Sequence, residues 1–92
     1  YGAAAKTNTF INYLKLDKKH IKGIFDLNDQ KIGKLMPGSH IKILNARKIN
    51  NYKIDIIIIF VWNLKKEIYS YLKEHLKKKI KIYIVVPKIK LL

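Results

Sequence analysis

The stretch KIDIIIIFVWNLKKEIYSYLKEHLKK (residues 53–78) carries two periodicities back to back. Residues 53–61 are β-branched and almost continuously apolar, the pattern of a strand covered on both faces. Residues 64–78 place Leu64, Ile68, Leu72 and Leu76 at four-residue intervals with lysines opposite, the pattern of an amphipathic helix. Tyr71 and His75 flank that stripe, and His75 is expected to be half-buried. Asn63 stands where an N-cap belongs. A covered strand followed at once by such a helix is a βα unit, and it sets the expectation for the rest of the chain.

Downstream, IKIYIVV (80–86) reads as a further strand that Pro87 ends, and the tail KIKLL (88–92) can extend the sheet or meet another domain. Upstream, NARKINNY (45–52) reads as a helical turn and IKIL (41–44) as a short strand. LNDQKIGKLMPGSH (27–40) is a long loop rich in turn formers, and such a loop in a small domain is usually functional or mobile. IKGIFD (21–26) is a short buried strand ending in an acid. Residues 3–16 form a helix with Phe10, Ile11 and Leu14 on one stripe, and Ala3 and Ala4 allow close approach at its start.

The alternation predicts an α/β fold: a Rossmann-like three-layer unit with a mostly parallel sheet and helices on both sides. No repeat or linker divides residues 1–92, so they read as a single domain. Its order, helix before strand, is that of a nucleotide-binding unit lacking its first strand, the central one in the doubly wound layout.

Composition narrows the function classes. Ninety-two residues support one core. There is no cysteine, which excludes disulfides and thiolate metal sites and suits a cytoplasmic location. The apolar run 54–62 is far short of the ~20 residues that span a bilayer, so no membrane partner is expected. Twenty Lys+Arg face six Asp+Glu. That balance suits an anionic partner such as nucleic acid or a phosphorylated ligand. A coding bias with a generally basic surface accounts for it better, because Lys, Ile and Asn dominate together and only Arg47 is an arginine. The lysines are dispersed and no aromatic-basic interleaving marks a strand-binding groove, which disfavours nucleic acid.

Candidate chemistry gathers at four places. In YGAAAKTN (1–8), Gly2 would make a turn, Ala3 to Ala5 would leave room, and Lys6 adds charge beside Thr7 and Asn8. Free N–H groups of a first helical turn favour an anion there; the alternative is a small-residue start that only packs closely. Asp26, ending a strand, suits a ribose hydroxyl or an Asx-turn. Trp62 and Asn63 end the best strand, where ligands of open α/β sheets bind. Trp62 can stack on a base or sugar ring, or pack beneath a loop. Asn63 can read a carbonyl or hydroxyl, or act as the N-cap. Among His20, His40 and His75 there is no metal spacing; His40 can face the same crevice. No nucleophile–base pair, carboxylate pair or complete phosphate loop occurs, so no catalytic or metal residue is expected.

YGAAAKTNTFINY (1–13), FDLNDQKIGKLMPGSHIKIL (25–44) and IIIIFVWNLKKEI (56–68) together resemble the C-terminal domain of sugar C-methyltransferases. The family pattern runs Y-G-A-A-A-K-G-N-T-L-L-N-Y, then D-x-N-P-x-K-Q-G-x-x-x-P-G-T-H-I-P-I, then a strand ending A-W-N-F with E-I shortly after. Thr7 replaces a Gly, Asp29 a Pro, Ile32 a Gln, Val61 an Ala and Leu64 a Phe; Gly33 is kept. Of these, Thr7 is expected to matter most for phosphate binding. The resemblance implies a Rossmann-like accessory domain that helps hold a nucleotide-linked deoxysugar beside its own N-terminal methyltransferase domain. Gly2, Ala3, Ala4, Lys6, Thr7 and Asn8 would meet the phosphates, and Asp26, His40, Trp62 and Asn63 the sugar, ribose or base. S-adenosylmethionine would be bound by the N-terminal part, whose acid-then-glycine-rich motif is absent from these residues.

Overall fold

The computed structural model describes residues 1–85 and the backbone of residues 89–91. The elements run α1 (Ala5–Tyr13), β1 (Ile24–Asp26), β2 (Ile43–Asn45), a 3-10 helix (Ala46–Asn51), β3 (Ile56–Ile59), a 3-10 turn (Trp62–Leu64), α2 (Lys65–His75), β4 (Lys81–Val85) and β5 (Ile89–Leu91). β1 pairs with β2 in parallel, Ile24 opposite Ile43. β3 pairs with β4 in parallel, Ile57 opposite Ile82, and β5 adds to β4 antiparallel. The chain is therefore α/β, with two short parallel pairs instead of one continuous sheet.

Strand side chains alternate between two apolar clusters, as the two-residue strand period requires. Phe25, Ile57, Ile59, Ile82 and Ile84 join Ile68 and Leu72 of α2 and Ile49 of the 3-10 helix. Ile24, Ile43 and Phe60 join Ile11 of α1, Met36 and Ile41. Both clusters draw on both sheets, with α1 serving one and α2 the other. Each fully buried Ile or Leu is worth about 1.5–3 kcal/mol relative to exposure.

The gap between the sheets is bridged by the first two residues. The Tyr1 amine donates to the Ile58 carbonyl of β3 at 2.7 Å, and the Gly2 N–H donates to the Phe25 carbonyl of β1 at 2.8 Å. Consecutive N–H groups reaching strands on opposite sides are the hydrogen-bonding pattern of extended chain lying between them.

Several elements are shorter than their periodicity predicts. α1 begins only at Ala5 because Ala4 is extended (φ −110°, ψ 167°). It ends before 16 because Lys15 turns left-handed at φ 55°, and Leu14 is exposed. α2 is preceded by a 3-10 turn that carries Asn63, so Asn63 is not its N-cap; Leu64 holds that position without a side-chain bond. Within the predicted stripe Ile68 and Leu72 are buried, while Leu64 is 46 % exposed on the turn. His75 is exposed, not half-buried, and its ring stacks on Tyr71 at 4.1 Å. The 27–40 loop folds back on β2, with Gly33 N–H on Ile43 O and Ile43 N–H on Lys34 O at 2.8 Å each. The strand expected over 80–86 is β4; its expected end at Val86 and Pro87 lies outside the described residues. β5 answers the question left by the tail, which extends the sheet. Among the described residues no helix is long and apolar enough to cross a membrane.

Candidate functional site

Contacts with the N-terminal segment bring the C-terminal ends of β1 and β3 together: Ala3 meets Asp26, Gly2 packs on Val61, and Lys6 meets Asn63. Asp26 ends β1, and Phe60 and Val61 carry the chain from β3 into Trp62 and Asn63. Gly2 arrives between them with φ +98°. A Cβ on Gly2 would lie 3.0 Å from Val61 Cγ2, so glycine is required there by backbone conformation and by space.

The peptide groups on either side of the Ala3 Cα are each held by a side chain. Asp26 Oδ2 accepts the Ala3 N–H at 2.8 Å, and Lys31 Nζ donates to Ala3 O at 2.8 Å. Asp26 Oδ1 accepts the Asn28 N–H, also at 2.8 Å. The carboxylate thus makes the Asx-turn and fixes the entry to α1 at once. Each of its oxygens keeps a lone pair that can accept a hydroxyl, but an anion approaching the Ala3 N–H meets a negative charge already in place. Beyond Ala3, helix geometry leaves the first N–H groups of α1 without intrahelical partners.

One turn on, Lys6 Nζ lies 4.3 Å from the centre of the Trp62 ring and donates to Asn63 Oδ1 at 3.4 Å. Trp62 is 45 % exposed, so part of the residue stays open to solvent beside the lysine. An exposed cation–π contact is worth about 0.5–1 kcal/mol, weak enough for a ligand to displace. Asn63, unoccupied as a cap, is free to hold Lys6.

Burial shapes the electrostatics beside Asp26. It pushes the Tyr1 amine from 8.0 down to about 5, with Asp26 opposing. The Tyr1 phenol is pushed up to about 12 by burial first, then by Tyr71 and Asp26, against Arg47. Arg47 itself pins the neighbouring loop, with Nη1 on Asp29 Oδ1 at 3.1 Å and Nη2 on Leu27 O at 3.2 Å.

Gly2, Ala3, Lys6, Asp26, Trp62 and Asn63 are therefore brought together from three separated segments, with Ala4 alongside at the helix cap. Thr7 points inward and is 1 % exposed. Its Oγ1 and the Asn8 Oδ1 are buried with no hydrogen-bond partner among the described residues. His40 is not in this group. It lies before β2, in a loop packed on the far end of α1, a helix of nine residues and so about 13 Å long. Lys31 was not singled out from the sequence, although it occupies the Lys of the D-x-N-P-x-K pattern. Tyr1 likewise occupies the Tyr of the Y-G-A-A-A-K pattern, and Arg47 carries no comparable local signal. No cluster of three potential metal ligands occurs among the described residues.

The model of the family described as C-methyltransferase C-terminal domain matches residues 1–87. No curated protein matches the chain.

Proposed function

This chain belongs to the family of C-methyltransferase C-terminal domains, and from that premise we propose that it is the accessory domain that holds a nucleotide-linked deoxysugar for its enzyme. The observation that carries this reading is the convergence of Gly2–Lys6, Asp26 and Trp62–Asn63 at the C-terminal ends of β1 and β3, bound together by the Asp26–Ala3 and Lys6–Asn63 contacts. Ligands of parallel α/β sheets sit at such an edge, where the strand order changes direction.

Each group has a role that its chemistry allows. The exposed part of Trp62 stacks a base or sugar ring. Lys6 leaves that ring for a diphosphate oxygen, a stronger, charge-assisted partner. The free N–H groups of the first turn of α1 assist, and Asp26 accepts a sugar or ribose hydroxyl. The order β2–β1, then Tyr1–Gly2, then β3–β4–β5 supports a Rossmann-like unit in which the Tyr1–Gly2 segment lies between the two sheets.

S-adenosylmethionine fits this chain poorly. The glycine turn is packed on Val61 and its next N–H is occupied by Asp26, which leaves no open cradle for the cofactor. Methyl transfer is therefore assigned to the partner methyltransferase domain, with the reaction in the cytoplasm, and this chain contributes binding and orientation.

Trp62 is the sole tryptophan, so its fluorescence reports on the site directly. A nucleoside diphosphate sugar is expected to change that emission saturably and to shift the amide signals of residues 2–8 and 62–63. Shifts confined to the lysine-rich face of α2, or equal responses to any polyanion, would refute the reading in favour of charge-driven binding.

A further inference from the structure

The opposite end of α1 forms a second cleft, of about 430 Å³. The geometry points to this cleft as a binding site for the phosphoryl group of a small phosphorylated ligand, independently of the site at Gly2–Lys6. Its size falls within the range of about 300–1,000 Å³ usual for small-molecule pockets. The walls are the end of α1 with Lys15, the following turn with Asp17, Lys18 and Lys19, and the loop carrying Gly38 and His40.

The charge of this cleft is one-sided. Three lysines face one carboxylate, and that carboxylate is already engaged. Asp17 Oδ1 accepts the Lys19 N–H at 2.8 Å and faces His20 Nδ1 at 3.4 Å. The carbonyls at a helix C-terminus would ordinarily repel an anion. Here the chain closes three of the last four itself. Leu14 N–H donates to Phe10 O and Leu16 N–H to Ile11 O at 2.9 Å, and Lys15 N–H to Asn12 O at 3.2 Å.

The backbone supplies a second observation. Among the described residues two non-glycine residues hold positive φ, Lys15 at 55° and His40 at 62°, and both line this cleft. That conformation favours glycine, and Lys15 follows the cap of α1, where glycine is the commonest residue. A basic side chain stands at each position instead. The loop is locked in place by Met36 N–H on Ile41 O at 2.8 Å and His40 N–H on Met36 O at 3.0 Å. Asn12 Nδ2 ties it to α1 through Pro37 O at 3.3 Å. Gly38 admits no Cβ, which would lie 2.7 Å from Asn12 Oδ1. Lysines are spread over the whole chain, but among the described residues only this depression has two basic side chains on left-handed backbone. Strain that the surrounding structure maintains is concentrated at functional sites.

The test is a titration of the isotope-labelled full chain with inorganic pyrophosphate at about 0.15 M salt, where diffuse surface attraction is screened. Saturable one-to-one shifts are expected at residues 15–19 and 38–40. Lys18→Ala is expected to weaken binding about tenfold, as for a lost charge-assisted bond. Lys66→Ala, an equal charge change on α2, leaves it unaltered. His40→Gly relieves the left-handed φ, so it raises Tm while it weakens binding, a split that a purely structural histidine would not give. The inference is overturned by equal losses in Lys18→Ala and Lys66→Ala, by non-saturating shifts across the lysines of α2, or by a stabilised His40→Gly that binds as before. Shifts at residues 2–8 alone would overturn it too, while leaving the first site standing.

Discussion

For the 92-residue polypeptide that starts at Tyr1, acetylating the Tyr1 amine is expected to flatten the pH dependence of stability between pH 5 and 8. The amine donates to Ile58 O at 2.7 Å, and burial pushes its pKa from 8.0 down to about 5. Below pH 5 it carries its proton in the folded and the unfolded chain alike. Above pH 8 it is neutral in both. Between those values the unfolded chain holds a proton that the folded chain releases, so stability rises with pH. At about 1.36 kcal/mol for each pH unit, the whole gap is worth at most about 4 kcal/mol. Tyr1 is only half-buried, so water reaching the amine lowers that figure. Against a total of about 5–15 kcal/mol for a small domain, the effect is large enough to measure. An acetyl group removes the titration and leaves one N–H for Ile58 O. Urea unfolding of the free and acetylated chains at pH 5, 6, 7 and 8 isolates the amine, because every other group cancels in the difference. Parallel pH profiles for the two forms would refute the placement of Tyr1 between β1 and β3.

Three substitutions probe the remaining contacts. Thr7→Val keeps the shape of a fully buried side chain and removes a hydroxyl with no partner; thermal unfolding should show a gain of about 1 kcal/mol, and a loss of that size would mean the hydroxyl is satisfied. Asp26→Ala strips the acceptor from the Ala3 and Asn28 N–H groups; a cost of about 2 kcal/mol is expected in urea unfolding, together with weakened nucleotide-sugar binding. Leu72→Ala opens a cavity at a position that is 0 % exposed; it should destabilise by about 2–5 kcal/mol with site chemistry untouched, which near-native binding by the surviving folded fraction would verify.

Much of the fold was legible because its signals are local. The continuous β-branched run before an amphipathic stripe gave β3 and α2, and the alternation around it gave the α/β class. The site was legible only as candidates. Gly2, Asp26 and Trp62 stand at the ends of elements, where ligands of such folds bind, but nothing local says which ends meet. Asn63 shows the limit: its position fits a cap, and a 3-10 turn moves it one register away, onto Lys6. His40 shows the same limit in reverse, since a loop of that length can reach either edge of the sheet.

The sequence by itself determined the class of the fold, the family motifs and the turn at Gly2, which holds positive φ. These follow from side-chain periodicity and backbone sterics within a few residues. Only the tertiary structure decided that Asp26 grips Ala3 across 23 positions, that Thr7 faces inward, that Lys31 holds the carbonyl of the same residue, and that His40 stands at the other end of α1. The reason is physical. A hydrogen bond between distant segments is set by how two sheets and two helices pack their apolar faces, and that packing is a property of the whole chain.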